Sequence, residues 1–448
     1  MNVSFYNLGC KVNLADISRI GKQFEELGHT VVDFETPSDI VLINTCTVTH
    51  RADADCRNVV RRALRKSPEA FVGVLGCYAQ LQPEEIAKIE GVDAVIGTRE
   101  KFEIPNLIKK FEKTKETQLF ISNLEDTPFH TSAVSDNAGR TRAVLKIQDG
   151  CNYHCTFCTI PLARGNSRSM EFDKVMPELF AMQKQGFHEV VLSGINLGDF
   201  KNDDGRKFYD VVKAINDSDL QMRFRISSIE PNLLKDNILE EVLSEGSKFC
   251  QHFHIPMQSG SQDILFKMRR RYKADYYRNL VERIYSINPN VAIGADVIVG
   301  FPGETEDHFA ETYDLISNSP ITYLHAFTYS ERENTPAVTF DGVVPFNIRQ
   351  ARNKRLRDLS DEKRLAFYER QIGNVGMVIP EMFNKDNGLW RGWTENYVSV
   401  NFTAPAELSH NPLKVSLDKM FESKVYGSAL EQDFKTSLPK YLELEVLG

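Results

Sequence analysis

The chain has 448 residues, enough for two or three domains, and its 42% apolar content supports packed cores without disulfide staples. Its formal charge is −8, from 54 Lys and Arg against 62 Asp and Glu, so nothing global argues for a polyanionic partner and any nucleic-acid contact must rest on local basic patches. The opening MNVSFYNLGC lacks the charged region and apolar run of a signal peptide, and no later stretch reaches the roughly 18 to 20 apolar residues of a membrane span, so a cytoplasmic location and no membrane partner are expected. In that reducing compartment the eight cysteines point to metal or redox chemistry rather than to disulfides.

Near the N-terminus VSFYNLGC, DIVLINTC and AFVGVLGC are short apolar runs, each ending in a cysteine: Cys10, Cys46 and Cys77. Helical stretches separate them, namely ISRIGKQFEELG stopped by Gly28, ADADCRNVVRRALRKS, and PEEIAKIEG opened by Pro83. This alternation predicts a parallel α/β sheet, in which ligands gather beyond the carboxyl ends of the strands. Cysteines 36 and 31 residues apart would then meet on one sheet edge. One such cysteine alone reads as a small buried residue; three in the same topological position read better as thiolate ligands of a cluster. Cys56 in mid-helix and Cys250 lack that placement and are expected to be ordinary residues.

Residues 115–140 are polar and aperiodic and read as a linker. Beyond them GCNYHCTFCTIP packs Cys151, Cys155 and Cys158 at C-x3-C-x2-C spacing. A structural zinc ion needs four closed ligands, and His154, immediately before Cys155, would have to fold back sharply to supply one. A four-iron cluster on three cysteines accounts better for the pattern, because it leaves one iron open to a small molecule. CNYHCTFC resembles the radical S-adenosylmethionine (SAM) motif, with Phe157 in the aromatic place. That resemblance implies that the open iron chelates SAM and that an electron from the cluster cleaves it to a 5′-deoxyadenosyl radical. With NLGCKVN, INTCTVT, GCYAQ and RTRAVLKIQDGCN, the chain resembles the radical methylthiotransferases over essentially its whole length. In them the N-terminal three-cysteine cluster, here Cys10, Cys46 and Cys77, holds the sulfur to be delivered, and the central cluster generates the radical that activates the substrate carbon.

From Val144 strand and helix patterns alternate again, through VLKIQDG, EVVLSGINLGDF, FRISSIEP, CQHFHIPMQSGS, VAIGADVIVGFPGE and ITYLHAFTYS. Six such units predict a partial β/α barrel, with function at the strand C-termini. By resemblance, Gly194 and Asn196 of SGINLGD contact the methionine part of SAM, Ser228 and Glu230 of SSIEP the ribose, and DVIVGFPGE, with Val299, the adenine. Past Gln371 short β-rich runs predict a small barrel. There GWTENYVSV resembles the TRAM domain, an RNA-binding barrel, and Trp390, Trp393 and Tyr397 are expected to stack on RNA bases, with barrel core as the alternative for the two tryptophans. The expected domains are therefore 1–114, the linker 115–140, 141–370 and 371–448.

Residues 371–448 nevertheless carry seven Lys and Arg against ten Asp and Glu, so phosphate contacts are sought elsewhere. RNVVRRALRK, residues 57–66, and IRQARNKRLRDL, residues 348–359, are the candidates, with a solvated helix face as the alternative for each. Within the resembled family, RTRAVLKIQDGCN and CTIPLARGNSRS look most like the branch acting on N6-threonylcarbamoyladenosine beside the tRNA anticodon. The isopentenyl-adenosine and ribosomal-protein branches are the alternatives, and a non-catalytic two-cluster electron carrier is the alternative from another class. Leu162, Asn166, Met170 and Asn334 depart from the branch pattern. Arg164, six residues past Cys158, is the cation expected to meet the substrate carboxylate, with a contact to the cofactor's carboxylate as the alternative. The resemblance also implies two four-iron clusters, SAM, a tRNA anticodon stem-loop, an electron donor such as flavodoxin or ferredoxin, and a monomer.

Overall fold

The computed structural model describes residues 1–46, 50–134, 141–408 and 410–430. LELEVL, the last of the short β-rich runs past Gln371, lies outside the described residues. The N-terminal unit is a six-stranded, wholly parallel sheet. Its strands are β1 (Asn2–Asn7), β2 (Thr30–Val32), β3 (Ile40–Thr45), β4 (Phe71–Gly76), β5 (Ala94–Ile96) and β6 (Gln118–Phe120), in spatial order β2-β1-β3-β4-β5-β6. Because side chains alternate along a strand, Val41 and Ile43 of β3 pack toward Val59, Val60 and Ala63 of the helix His50–Lys66. Ile40 and Leu42 pack the other way, on Ile20 and Phe24 of the helix Lys11–Glu26. That second helix begins at Lys11 and not at Ile17, so Cys10 occupies its N-cap.

The segment expected as a linker is not featureless. It supplies β6 to the first sheet and β7 (Ser132–Val134) to the second, where β7 lies antiparallel to β8 (Ala143–Lys146). The correction has a simple cause: three-residue strands on sheet edges are too short to register as periodic hydrophobicity. After β8 come β9 (Gln148–Asp149) and β10 (Arg168–Ser169), a two-residue ribbon clasping the cysteine loop.

The central unit continues with β11 (Glu189–Ser193), β12 (Arg223–Ile226), β13 (His252–His254), β14 (Ala292–Val299) and β15 (Tyr323–Thr328). Parallel ladders join β8 to β11, β11 to β12, β13 to β14 and β14 to β15, and parallel bridges at Phe224 with Phe249 and Ser228 with His254 tie β12 to β13. Six parallel strands with covering helices thus make the expected partial barrel, its row ending at β15 on one side and β7 on the other. Its main core lies between strands and outer helices, and Ala143, Leu145, Val190, Leu192, Phe224, Ile226, Ala295 and Val297 all point there. Their alternates, among them Val144, Glu189, Val191, Arg225, Asp296 and His325, face the barrel interior.

The chain closes with a barrel of β16 (Val375–Asn384), β17 (Leu389–Trp393), β18 (Ser399–Thr403), β19 (Leu413–Phe421) and β20 (Lys424–Ala429), in order β16-β17-β18-β20-β19. Its apolar centre includes Phe367 and Tyr368 from the long helix Phe346–Gln371. The small barrel docks on the central one through two arginines. Arg223 donates to the Trp393 carbonyl at 3.1 Å, and Arg225 to those of Thr394 and Glu395, each at 3.3 Å. Both guanidiniums also bind the buried Glu189 carboxylate, at 2.6 and 3.0 Å.

Candidate functional site

Strands β1, β3 and β4 are neighbours, and Cys10, Cys46 and Cys77 stand at their three carboxyl ends as the sequence predicts. The first two flank β1 and β3, where the strand order reverses and a ligand crevice opens in such sheets. Cys10 is exposed, Cys46 half-buried and Cys77 buried. The Cys10 thiol donates to Asn13 Oδ1 at 3.6 Å, and Asn13 Nδ2 donates to the Thr45 carbonyl at 2.9 Å, next to Cys46. Gly76 turns the chain into the helix Cys77–Leu81 with φ of +101°, and a Cβ there would lie 2.3 Å from Asn44 Oδ1. Only glycine fits. Burial pushes the Cys77 thiol up, and the Arg164 guanidinium beside it opposes that rise.

Cys151, Cys155 and Cys158 occupy the loop after β9. The Tyr153 amide donates to Cys151 Sγ at 3.3 Å, and Arg270 Nη1 donates to Cys155 Sγ at 3.1 Å while its Nη2 binds Glu230. Burial pushes Cys151 up to about 11 and Cys158 up to about 12, with neighbouring thiols adding to both. Cys151 and Cys158 are therefore poor anions by themselves. They suit a cationic cluster, whose charge outweighs that penalty.

The loops around them carry the residues of the expected cofactor contact set. Gln148 accepts the Asn196 amide at 2.8 Å and donates to the Gly150 carbonyl at 2.8 Å, so it joins the cysteine loop to the SGINLGD loop. A Cβ on Gly194 would come within 3.0 Å of Gln148 and Leu197. Asn196 Nδ2, Asp199 Oδ2, Ser227 Oγ and Asn232 Oδ1 are buried with no partner among the described residues. Each such orphan costs about 1–3 kcal/mol unless a ligand satisfies it, so these loops leave a polar cradle that a bound polar molecule would satisfy. Here Ser227 rather than Ser228 has the orphaned hydroxyl; Ser228 takes part in the bridge to His254. Phe157 packs edge-on to Phe301, against a buried cluster that includes Met268. Val299 is a correction: its side chain is fully buried in the main core, and across the pleat Ile298 turns to the cluster on which Phe157 packs.

Arg164 is the second correction. It is only 1% exposed and cannot meet a substrate. Its guanidinium bonds Asp149 Oδ1 at 2.8 Å, two residues before Cys151, and Asn13 Oδ1, three residues after Cys10. It belongs to a closed network in which Asp16 binds Lys101 and Lys146, each at 2.6 Å, and Lys146 also reaches Asp149 at 3.2 Å. Asn13, Asp16 and Lys101 come from the N-terminal unit, and Lys146, Asp149 and Arg164 from the central one. The helix Cys77–Leu81 rests on the helix Ile160–Arg164, and Thr98 Oγ1 donates to the Ala163 carbonyl at 2.7 Å. The two cysteine sets therefore flank one buried polar seam.

Trp393 and Tyr397 stack with centroids 4.7 Å apart and line a cavity of about 590 Å³ between the two barrels, with Tyr323, Tyr368, Arg364 and Arg391. Among the described residues no carboxylate lines it, so part of the basic charge of an acidic segment gathers at one face. Trp390 is instead core, its Nε1 donating to the Pro405 carbonyl at 2.8 Å. The basic helices divide on the phosphate expectation: Arg57, Arg61, Arg65 and Arg357 stay exposed, whereas others are already paired. Arg349 and Arg352 are buried against Glu331 and Glu304, and Arg62 and Lys66 both bind Glu35. Cys56 and Cys250 are core residues, as expected. Asn334, where the branch pattern has glycine, holds φ of +67°, a conformation asparagine tolerates.

Sequence reasoning missed Gln148, Asp149, Asp16 and Arg270, because each acts through a partner distant in the chain. The nearest signal was polar residues embedded in otherwise apolar strand and helix patterns. Residues 2–97 match the family described as "Uncharacterized protein family UPF0004", and residues 145–316 match the radical SAM superfamily. The chain is 38% identical to the threonylcarbamoyladenosine tRNA methylthiotransferase MtaB of Bacillus subtilis, over 93% of this chain and 94% of that protein. It is 32% identical to the tRNA-2-methylthio-N(6)-dimethylallyladenosine synthase of Fusobacterium nucleatum, over 95% and 98%. Among solved structures, the radical SAM methyltransferase TsrM of Kitasatospora setae shares the fold, with TM-score 0.54, 14% identity and 75% of each chain covered. Two cysteine sets on one polar seam, in a chain so similar throughout, place it in a family: the chain belongs to the radical SAM tRNA methylthiotransferases.

Proposed function

We propose that the protein converts N6-threonylcarbamoyladenosine beside the tRNA anticodon into its 2-methylthio derivative. The observation that carries this reading is the seam itself, which brings two separate three-cysteine sets to facing sides of one domain interface. Cys151, Cys155 and Cys158 would hold one four-iron cluster, and Cys10, Cys46 and Cys77 the other. When bound, the first cluster with SAM supplies the radical that activates adenine C2, and the second supplies the sulfur.

The chain's own residues do the remaining work. Arg270 bridges Cys155 and Glu230, so a shift of the cysteine loop is felt at once by the ribose segment. Asn196 and Asn232 offer the unpaired donor and acceptor that orient the cofactor. Trp393, Tyr397 and Arg391 offer stacking faces and a cation to RNA bases. Among the described residues no helix is long and apolar enough to cross a membrane; a monomer working in the cytoplasm with a flavodoxin- or ferredoxin-type electron donor completes the reading.

Mass spectrometry of tRNA nucleosides from a strain deleted for the gene is the test. Loss of 2-methylthio-N6-threonylcarbamoyladenosine with accumulation of its precursor supports the assignment. An unchanged level, with loss of the isopentenyl analogue or of ribosomal-protein methylthiolation, moves the protein to a sister branch. Absence of 5′-deoxyadenosine when the reconstituted protein meets SAM and dithionite would leave only an electron carrier.

A further inference from the structure

The first turn of the helix Lys11–Glu26 reaches over the interior wall of the central barrel. Leu14 and Ala15 pack on Val144 and Val191, whose strand neighbours Leu145, Val190 and Leu192 point the other way, into the main core. Lys11 shares the helix face of Leu14 and Ala15, three and four residues on. It lies within electrostatic reach of Arg225, Arg142 and Glu189 on the same wall, and of Cys10. The residue is exposed, and among the described residues it makes no hydrogen bond or ion pair. Neighbouring cations are committed: Arg142 and Arg225 face Glu189, Lys146 binds Asp16, and Arg164 binds Asp149. Lys11 is thus an available positive charge beside the N-terminal cysteine set.

We propose that Lys11 selects the substrate, its ammonium receiving the carboxylate of the threonylcarbamoyl group. The inference rests on the function proposed above. On adenine, N6 and C2 flank N1, so a substituent on N6 and the carbon that accepts sulfur lie along one edge of the ring. A cation reading that substituent therefore belongs next to the sulfur-holding cysteines, where Lys11 follows Cys10. An isopentenyl group would offer the ammonium no anion and so would forgo the attraction that the threonylcarbamoyl carboxylate gains.

The test compares anticodon stem-loop RNAs carrying N6-threonylcarbamoyladenosine with the same RNAs in which the threonine carboxylate is a carboxamide. For the wild-type protein the acid should be preferred in kcat/KM by roughly 10- to 100-fold, the worth of one charge-assisted hydrogen bond. Lys11→Met should erase the preference and Lys11→Arg should keep it, and RNA affinities measured by fluorescence anisotropy without SAM should follow the same order. Iron content should stay at the wild-type level in both variants. Equal losses on the two RNAs, or loss of iron in Lys11→Met, would assign Lys11 to the cluster or the fold and overturn the inference. Wild-type turnover of an isopentenyl stem-loop but not of the threonylcarbamoyl one would overturn the functional reading as well, and is distinguishable because it needs no variant.

Discussion

Asp16→Asn is the sharpest perturbation of the seam between the two cysteine sets. The carboxylate is fully buried and accepts from Lys101 and Lys146 at 2.6 Å each, and both ammoniums are only 1% exposed. Burial alone would raise its pKa, but Lys101, Lys146 and Arg164 hold it well below the usual carboxylate range. In the variant Lys146 keeps Asp149 at 3.2 Å, whereas Lys101 loses the carboxylate it is paired with. Stranding a buried charge in this way costs about 3–5 kcal/mol. At about 2–4 °C per kcal/mol, the first calorimetric transition of the reconstituted protein should fall by about 10 °C, with faster hydrogen exchange in the helix Lys11–Glu26. Lys101→Met added to Asp16→Asn should recover part of the loss, because it removes the stranded charge. The pH dependence has a definite sign. A depressed folded pKa stabilises fully above the unfolded value of about 3.9, and that stabilisation is withdrawn as the pH falls below it toward the folded pKa. Wild-type protein should lose this contribution in acid, and Asp16→Asn should lack it at every pH. A transition within about 2 °C of wild type, with unchanged exchange in that helix, would refute the account of the seam.

Gly76→Ala should destabilise the N-terminal cysteine edge by about 1–3 kcal/mol, since a Cβ at φ of +101° would lie 2.3 Å from Asn44 Oδ1 and 2.7 Å from the Thr45 carbonyl; iron analysis should show one cluster lost while SAM cleavage persists. Trp393→Ala should weaken stem-loop binding by about 10- to 100-fold, the range for one base stack, while SAM cleavage without RNA is untouched; unchanged affinity would remove the inter-barrel cavity from the RNA path. Cys56→Ala and Cys250→Ala should leave iron content and turnover at wild-type levels, since both side chains are buried, Cys56 in the apolar core of the N-terminal unit and Cys250 beside Arg225 and Glu189; loss of iron in either would show that the ligand sets are wrongly drawn.

The sequence by itself determined the two cysteine sets, the parallel sheet, the partial barrel and the terminal barrel. These follow from local pattern: apolar runs ending in cysteine, a tight C-x3-C-x2-C loop, and alternation of period two and period 3.6. Placing Cys10, Cys46 and Cys77 on one edge needed only the rule that parallel strands share a direction. Which cation is available to a substrate was not legible in this way. Arg164 is well placed in sequence, yet Asp149, Asn13 and Asp16 converge on it from three segments and bury it. Val299 reads as a cofactor neighbour, but the phase of the β14 pleat turns it to the core and Ile298 to the apolar cluster on which Phe157 packs. The acidic terminal barrel looks unsuited to RNA until folding gathers Arg391, Trp393 and Tyr397 with Arg364 of another element around one cavity. Local propensity is set by a few neighbouring residues, whereas burial, charge pairing and the facing of two domains depend on contacts between residues far apart in the chain, and only the tertiary structure decided those.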